Sequence, residues 1–187
     1  MDLPLTQHDR TAGPGDDRPG DDEQGRFYYS FSAPDAYLAA ERVLQIVPFV
    51  APWTPIRPPL DAWAFRCVTE QEIEQDRIMR LAAERGLQPV RWPPRFDDEL
   101  ALRAATFAKS IGRIVAFTLA TFRQAYAGGA DLSQESTILI AAAACEIHPR
   151  ALLAAIKRPA IERALSEATA EAASRGVRDV PAIVLPD

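Results

Sequence analysis

Large apolar residues gather at Phe27, Tyr28, Tyr29 and Phe31, and a helix-forming run, Ala36-Tyr37-Leu38-Ala39-Ala40-Glu41-Arg42, follows across Pro34. Aromatic residues favour strands, and the fixed φ of proline suits a first helical turn. The pattern over Arg26–Arg42 therefore predicts a strand running straight into a helix. That turn aims the free N–H groups and positive dipole end of the helix at whatever sits above the strand. Phe49–Ile56 reads as a second strand, edge-placed or partly irregular because its prolines remove ladder donors. Thr69 and Glu72 have the spacing of a capping box, and the helix they open is expected to stop at Gly86. Asp97–Ala127 has a helical apolar period interrupted at Ser110-Ile111-Gly112, which predicts two helices ended by Gly128-Gly129. Asp131 or Ser133 should cap the next helix. Its core, Ile138–Ala144, is apolar nearly all round and so should be buried. Two more helices, about Arg150–Lys157 and Pro159–Ser174, lead through Gly176 to a strand after Val180-Pro181.

Several stretches resemble the thioredoxin-like family that contains the DsbA oxidoreductases, 2-hydroxychromene-2-carboxylate isomerases and kappa-class glutathione transferases. Tyr29-Ser30-Phe31-Ser32-Ala33-Pro34-Asp35-Ala36-Tyr37-Leu38-Ala39 is similar to its first strand and helix. The sequence through Leu102–Tyr126 and Ala141–Pro149 looks like the helical insertion of bacterial members, and Arg175–Val184 resembles its Arg-Gly-Val-x-Gly-Val-Pro-Thr. The resemblance implies an α/β fold: a thioredoxin-like sheet with a large all-helical insertion, at about residues 69–150, inside a domain over residues 26–187. The family continues with a fourth strand, a Gly-Asp-Arg-like turn and a last helix that find no match before Asp187, so the third strand is expected at a sheet edge, open to a homodimer. The resemblance also implies that Pro181 is cis and that Val180 pairs with a bound thiol peptide.

Residues 1–25 hold seven acids and two bases, a net −5 equal to that of the whole chain. This stretch is rich in Pro, Gly and Asp and reads as a disordered acidic tail. The remainder is electrically balanced, which leaves no footprint for nucleic acid. No apolar run is long enough to span a membrane, and the N-terminus lacks the basic and apolar regions of a secretory signal. Cys67 and Cys145 form no C-x-x-C, and His8 and His148 are isolated, so a reduced cytoplasmic protein with no metal motif is expected.

The family's nucleophilic Ser or Cys falls on Ala33, and its second redox cysteine on Ala36. A dithiol oxidoreductase is thereby set aside, since disulfide exchange requires a thiolate. Two readings stay open. One is an isomerase or transferase that uses glutathione or a related thiol on a small-molecule substrate. The other is a non-catalytic binding or scaffold protein on the same fold. In the first, Ser32 is the nearest hydroxyl able to hold a thiolate, with Pro34, Tyr37, Trp53, Val180 and Pro181 lining the site. Trp53 is equally readable as core, and Ser32 as a plain helix cap. Asp35 stands against the thiol chemistry, because a carboxylate in the first turn repels a neighbouring thiolate.

Overall fold

The computed structural model describes residues 25–48, 51–58 and 67–185. The acidic tail up to residue 24 lies outside them. Among the described residues the chain forms three strands and seven helices: β1 (Arg26–Tyr29), α1 (Pro34–Ile46), β2 (Trp53–Pro55), α2 (Val68–Glu84), α3 (Glu99–Ser110), α4 (Ile114–Tyr126), α5 (Glu135–Ala143), α6 (Pro149–Ala155), α7 (Pro159–Ser174) and β3 (Ala182–Val184). The strand order is β2-β1-β3, with β2 parallel and β3 antiparallel to β1. This is the thioredoxin-like arrangement, and the helices α2–α6 fill the gap between β2 and α7.

The register sorts the sheet into two faces, because successive side chains point to opposite sides. Phe27 lies beside Trp53, and Tyr28 beside Thr54. On the first face, Phe27, Tyr29 and Trp53 join Phe31, Tyr37, Phe122 and Tyr126 of α1, α4 and the connecting turn. Ring centroids there stand 4.9–6.3 Å apart. Aromatic pairs at such spacings add to the hydrophobic gain from their burial. The Tyr29 hydroxyl is satisfied by Thr118 Oγ1 at 2.6 Å. On the second face, Lys109 of α3 donates to Thr54 Oγ1 at 3.0 Å and Arg26 pairs with Glu171 of α7 at 2.8 Å.

β2 is an edge strand, as its prolines require. Of the expected Phe49–Ile56 strand, Phe49 and Val50 lie outside the described residues and the strand covers Trp53–Pro55, flanked by the bonds Phe27 N to Pro52 O and Ile56 N to Tyr29 O. Gly86 adopts φ +66° and closes α2 with the paired bonds Gly86 N to Ala83 O and Leu87 N to Ala82 O. Other boundaries depart from the sequence expectation. α2 begins at Val68, its N-cap is Cys67, and no side chain caps it, so the Thr69–Glu72 capping box does not form at that end. Asp131 and Ser133 make a local turn, Asp131 Oδ1 accepting from Ser133 N and Oγ, while Gln134 occupies the cap of α5. α5 is not buried all round: Ile138, Ala141 and Ala142 are, whereas Ile140 is 55 % exposed. No described helix is long and apolar enough to cross a membrane.

Candidate functional site

The turn between β1 and α1 is packed against the N-terminus of α3. Ser30 follows the strand and is fully buried, and Ser32 is 7 % exposed. Asp98, the N-cap residue of α3, reaches under this turn from 66 residues away in sequence. Its Oδ2 accepts from Ser30 Oγ at 2.5 Å and from the Ser32 backbone N–H at 2.7 Å. Ser30 Oγ also lies 3.0 Å from Ser32 Oγ. The result is a continuous hydrogen-bonded chain, Ser32–Ser30–Asp98. Asp98 makes no ion pair among the described residues, and burial pushes its carboxyl up, against the pull of the hydrogen bonds from Ser30 and Ser32. A buried carboxylate without a cation is costly, and such groups concentrate where chemistry is done.

Ser32 is not the helix cap. That position is Ala33, which makes no side-chain cap bond, and Pro34 occupies the first turn. Tyr126 clamps the turn from α4 by donating to Phe31 O at 2.8 Å. Burial, then Asp98 and Asp35, push the Tyr126 phenol well above its ordinary range. Asp35, in the first turn of α1, does not stand as a bare charge. Arg77 of α2 donates to its Oδ2 at 2.5 Å and also holds Glu74.

The loop before β3 faces α1 across a groove. The Val180–Pro181 bond is cis. Val180 and Pro181 share a groove of about 430 Å³ with Asp35, Leu38, Arg42 and Arg85. A second groove of about 360 Å³ is lined by Ile56, Arg57, Thr169, Ala172, Asp179 and Val180. Asp179 and Val180 line both grooves, and the Asp179 carboxylate accepts from the Val180 N–H at 2.7 Å.

The residues singled out in the sequence therefore fall into two groups. Val180 and Pro181 meet the first turn of α1 across a groove, and Ser32 belongs to the polar chain beneath that turn. Pro34, Tyr37 and Trp53 are buried in the wall of the fold: Tyr37 stacks on Tyr126 at 5.4 Å, and Trp53 packs edge-on against Phe27 at 5.0 Å. The sequence reading missed Ser30 and Asp98. Asp98 carried one signal, its place before an apolar-periodic run, but that signal speaks only of a helix start.

Comparison with known proteins agrees with the geometry. The family described as the DSBA-like thioredoxin domain matches residues 26–187. The crystal structure of a 2-hydroxychromene-2-carboxylate isomerase superposes with a TM-score of 0.77 at 18 % identity, covering 87 % of this chain and 85 % of that one. A probable DsbA oxidoreductase from Streptomyces coelicolor superposes with a TM-score of 0.66 at 18 % identity, covering 87 % and 83 %. At these identities the likeness is one of fold. No curated protein gives a significant sequence match.

Proposed function

The chain belongs to the DSBA-like thioredoxin domain family, and we propose that within it this protein is a non-redox member that binds glutathione or a related thiol and acts as an isomerase or transferase on a small molecule. The observation that carries the proposal is the Ser32–Ser30–Asp98 chain at the entry to α1. A hydroxyl at a helix N-terminus can donate to a thiolate, and the helix dipole favours the anion. Ala33 and Ala36 are both fully buried and supply no thiol there. Cys67 is exposed ahead of α2 and Cys145 is buried after α5. The pairing of Asp35 with Arg77 removes the electrostatic objection that the bare sequence raised.

The test is glutathione binding and melting temperature measured together on wild type and Ser32→Ala. A hydrogen bond to a charged group is worth roughly 1.5–3 kcal/mol, so its loss should weaken affinity by about 10–150-fold. A fall in melting temperature with unchanged affinity assigns Ser32 a structural role. Absence of binding by wild type at millimolar glutathione would replace the proposal with a non-catalytic binding protein on the same fold.

A further inference from the structure

A carboxylate and a thiolate cannot both sit at one water-poor turn without strong repulsion. Resting on the thiol-binding reading above, we propose that Asp98 is the proton acceptor of the site, taking the thiol proton through Ser32 and Ser30 so that the ligand is held as a thiolate over a neutral acid. Each link is within hydrogen-bond reach: Ser32 Oγ to Ser30 Oγ is 3.0 Å and Ser30 Oγ to Asp98 Oδ2 is 2.5 Å.

The step conserves atoms and charge. The S–H bond breaks as a new O–H bond forms on Ser32. The former Ser32 proton moves to Ser30, and the former Ser30 proton to Asp98 Oδ2. The negative charge passes from the carboxylate to sulfur, and the Ser32 hydroxyl ends pointing at the thiolate as its donor. No proton leaves the complex. The burial that lifts the Asp98 carboxyl narrows the gap to a thiol, which is the matching that proton transfer requires.

The groups around Asp98 fit this role. From α4 the neighbour is the Tyr126 phenol, which stays protonated. Asp35 of α1, which acts on the same phenol, is bridged to Arg77 of α2. On its own stretch Glu99 is held by Arg57 from the end of β2, and Asp97 accepts from the Glu99 N–H.

The experiment is calorimetric titration with glutathione at pH 7 in two buffers of different ionisation enthalpy, with thiolate absorbance read on the same samples. A free thiol has a pKa of about 8.5, so uptake as thiolate with no internal acceptor must release about one proton. The expected result is a thiolate signal with near-zero proton release in wild type, and about one proton released by Asp98→Asn. Should the variant not fold, the wild-type pair of readings decides alone. A thiolate accompanied by about one proton from wild type overturns the acceptor role and leaves the thiol-binding reading standing. Glutathione bound without a thiolate signal also overturns it, since the proton has then not moved. No binding at all overturns both.

Discussion

Replacing Asp98 by asparagine and by alanine separates its charge from its hydrogen-bonding role in the fold. The same oxygen, Oδ2, accepts from Ser30 Oγ and from the Ser32 N–H. An asparagine carbonyl oxygen in that place can accept both. Alanine removes the acceptor. The Ser30 hydroxyl then has Ser32 Oγ at 3.0 Å as an alternative partner, but the Ser32 N–H is buried and left without one. An unsatisfied buried donor costs about 1–3 kcal/mol, which for a chain of this size lowers the melting temperature by roughly 2–4 °C per kcal/mol. Asp98→Ala should therefore melt about 2–12 °C below wild type.

Asp98→Asn should behave oppositely at neutral pH. Burial raises the folded-state pKa above the ordinary aspartate value of 3.8, so between those two values the folded state holds more protons than the unfolded one. Stability attached to this group is complete below the unfolded pKa and is lost as pH rises through the folded one. Asparagine carries no such loss. Thermal melts of the three proteins over a pH series give the test, read as the difference between wild type and Asp98→Asn so that other titrating groups cancel. The difference should move in favour of the asparagine variant as pH rises from about 4 and then level off. An asparagine variant as unstable as the alanine one at pH 7, or a difference that does not change with pH, would refute the desolvation argument.

Three further outcomes follow from the packing. Phe122 is fully buried and touches the rings of Tyr29, Phe31, Tyr37 and Tyr126, so Phe122→Ala should cost about 3–5 kcal/mol in denaturant unfolding; a loss below about 1 kcal/mol would show that the aromatic cluster repacks. The Glu162 carboxyl is held below its ordinary range by hydrogen bonds from Arg103 and then Arg57, so its stabilising contribution is present above the ordinary carboxyl range and lost as pH falls through the folded value; in Arg103→Gln its NMR titration should shift upward, and an unchanged titration would dissociate the pair. Cys67 should react with a thiol reagent in the native protein while Cys145 reacts only on unfolding, and the Cys67→Ser, Cys145→Ser double variant and wild type alike should fail to reduce insulin disulfides, with turnover above the uncatalysed rate counting against the non-redox assignment.

Which of these features could be read from the chain depends on how far each one reaches. The entry to α1 was legible because it is local. An aromatic run makes the strand, Pro34 sets the first helical turn, and both signals lie within a dozen residues. Gly86 and Gly176 were legible for the same reason, each taking the positive φ that ends a helix. α5 was only half legible. A helix with isoleucine and alanine on every side declares that it is apolar but not which side is covered, and Ile140 is the residue left outside. The polar chain was not legible at all. Serines after a strand and an aspartate before a helix are common local signals, and each has an ordinary local explanation. Only the packing of α3 beneath the first turn joins them, across 68 residues.

The electrostatics of the site reverse for the same reason. From sequence, Asp35 is the negative group nearest the helix N-terminus and argues against an anionic ligand. In the fold Arg77 arrives from α2 to compensate it, and the uncompensated carboxylate is Asp98, held under the turn by donors alone. On the proposed thiol-binding function, the charge that decides whether a thiolate can bind is therefore one that can be removed by a proton. Arg77→Gln should expose the difference. With Asp35 no longer paired, a fixed negative charge returns to the first turn of α1, and glutathione affinity should fall and become more salt-dependent, since screening weakens the repulsion. Affinity that is unchanged in Arg77→Gln at low salt would mean that the ligand sulfur does not lie near the α1 N-terminus, and the placement of the thiol over Ser32 would fail with it.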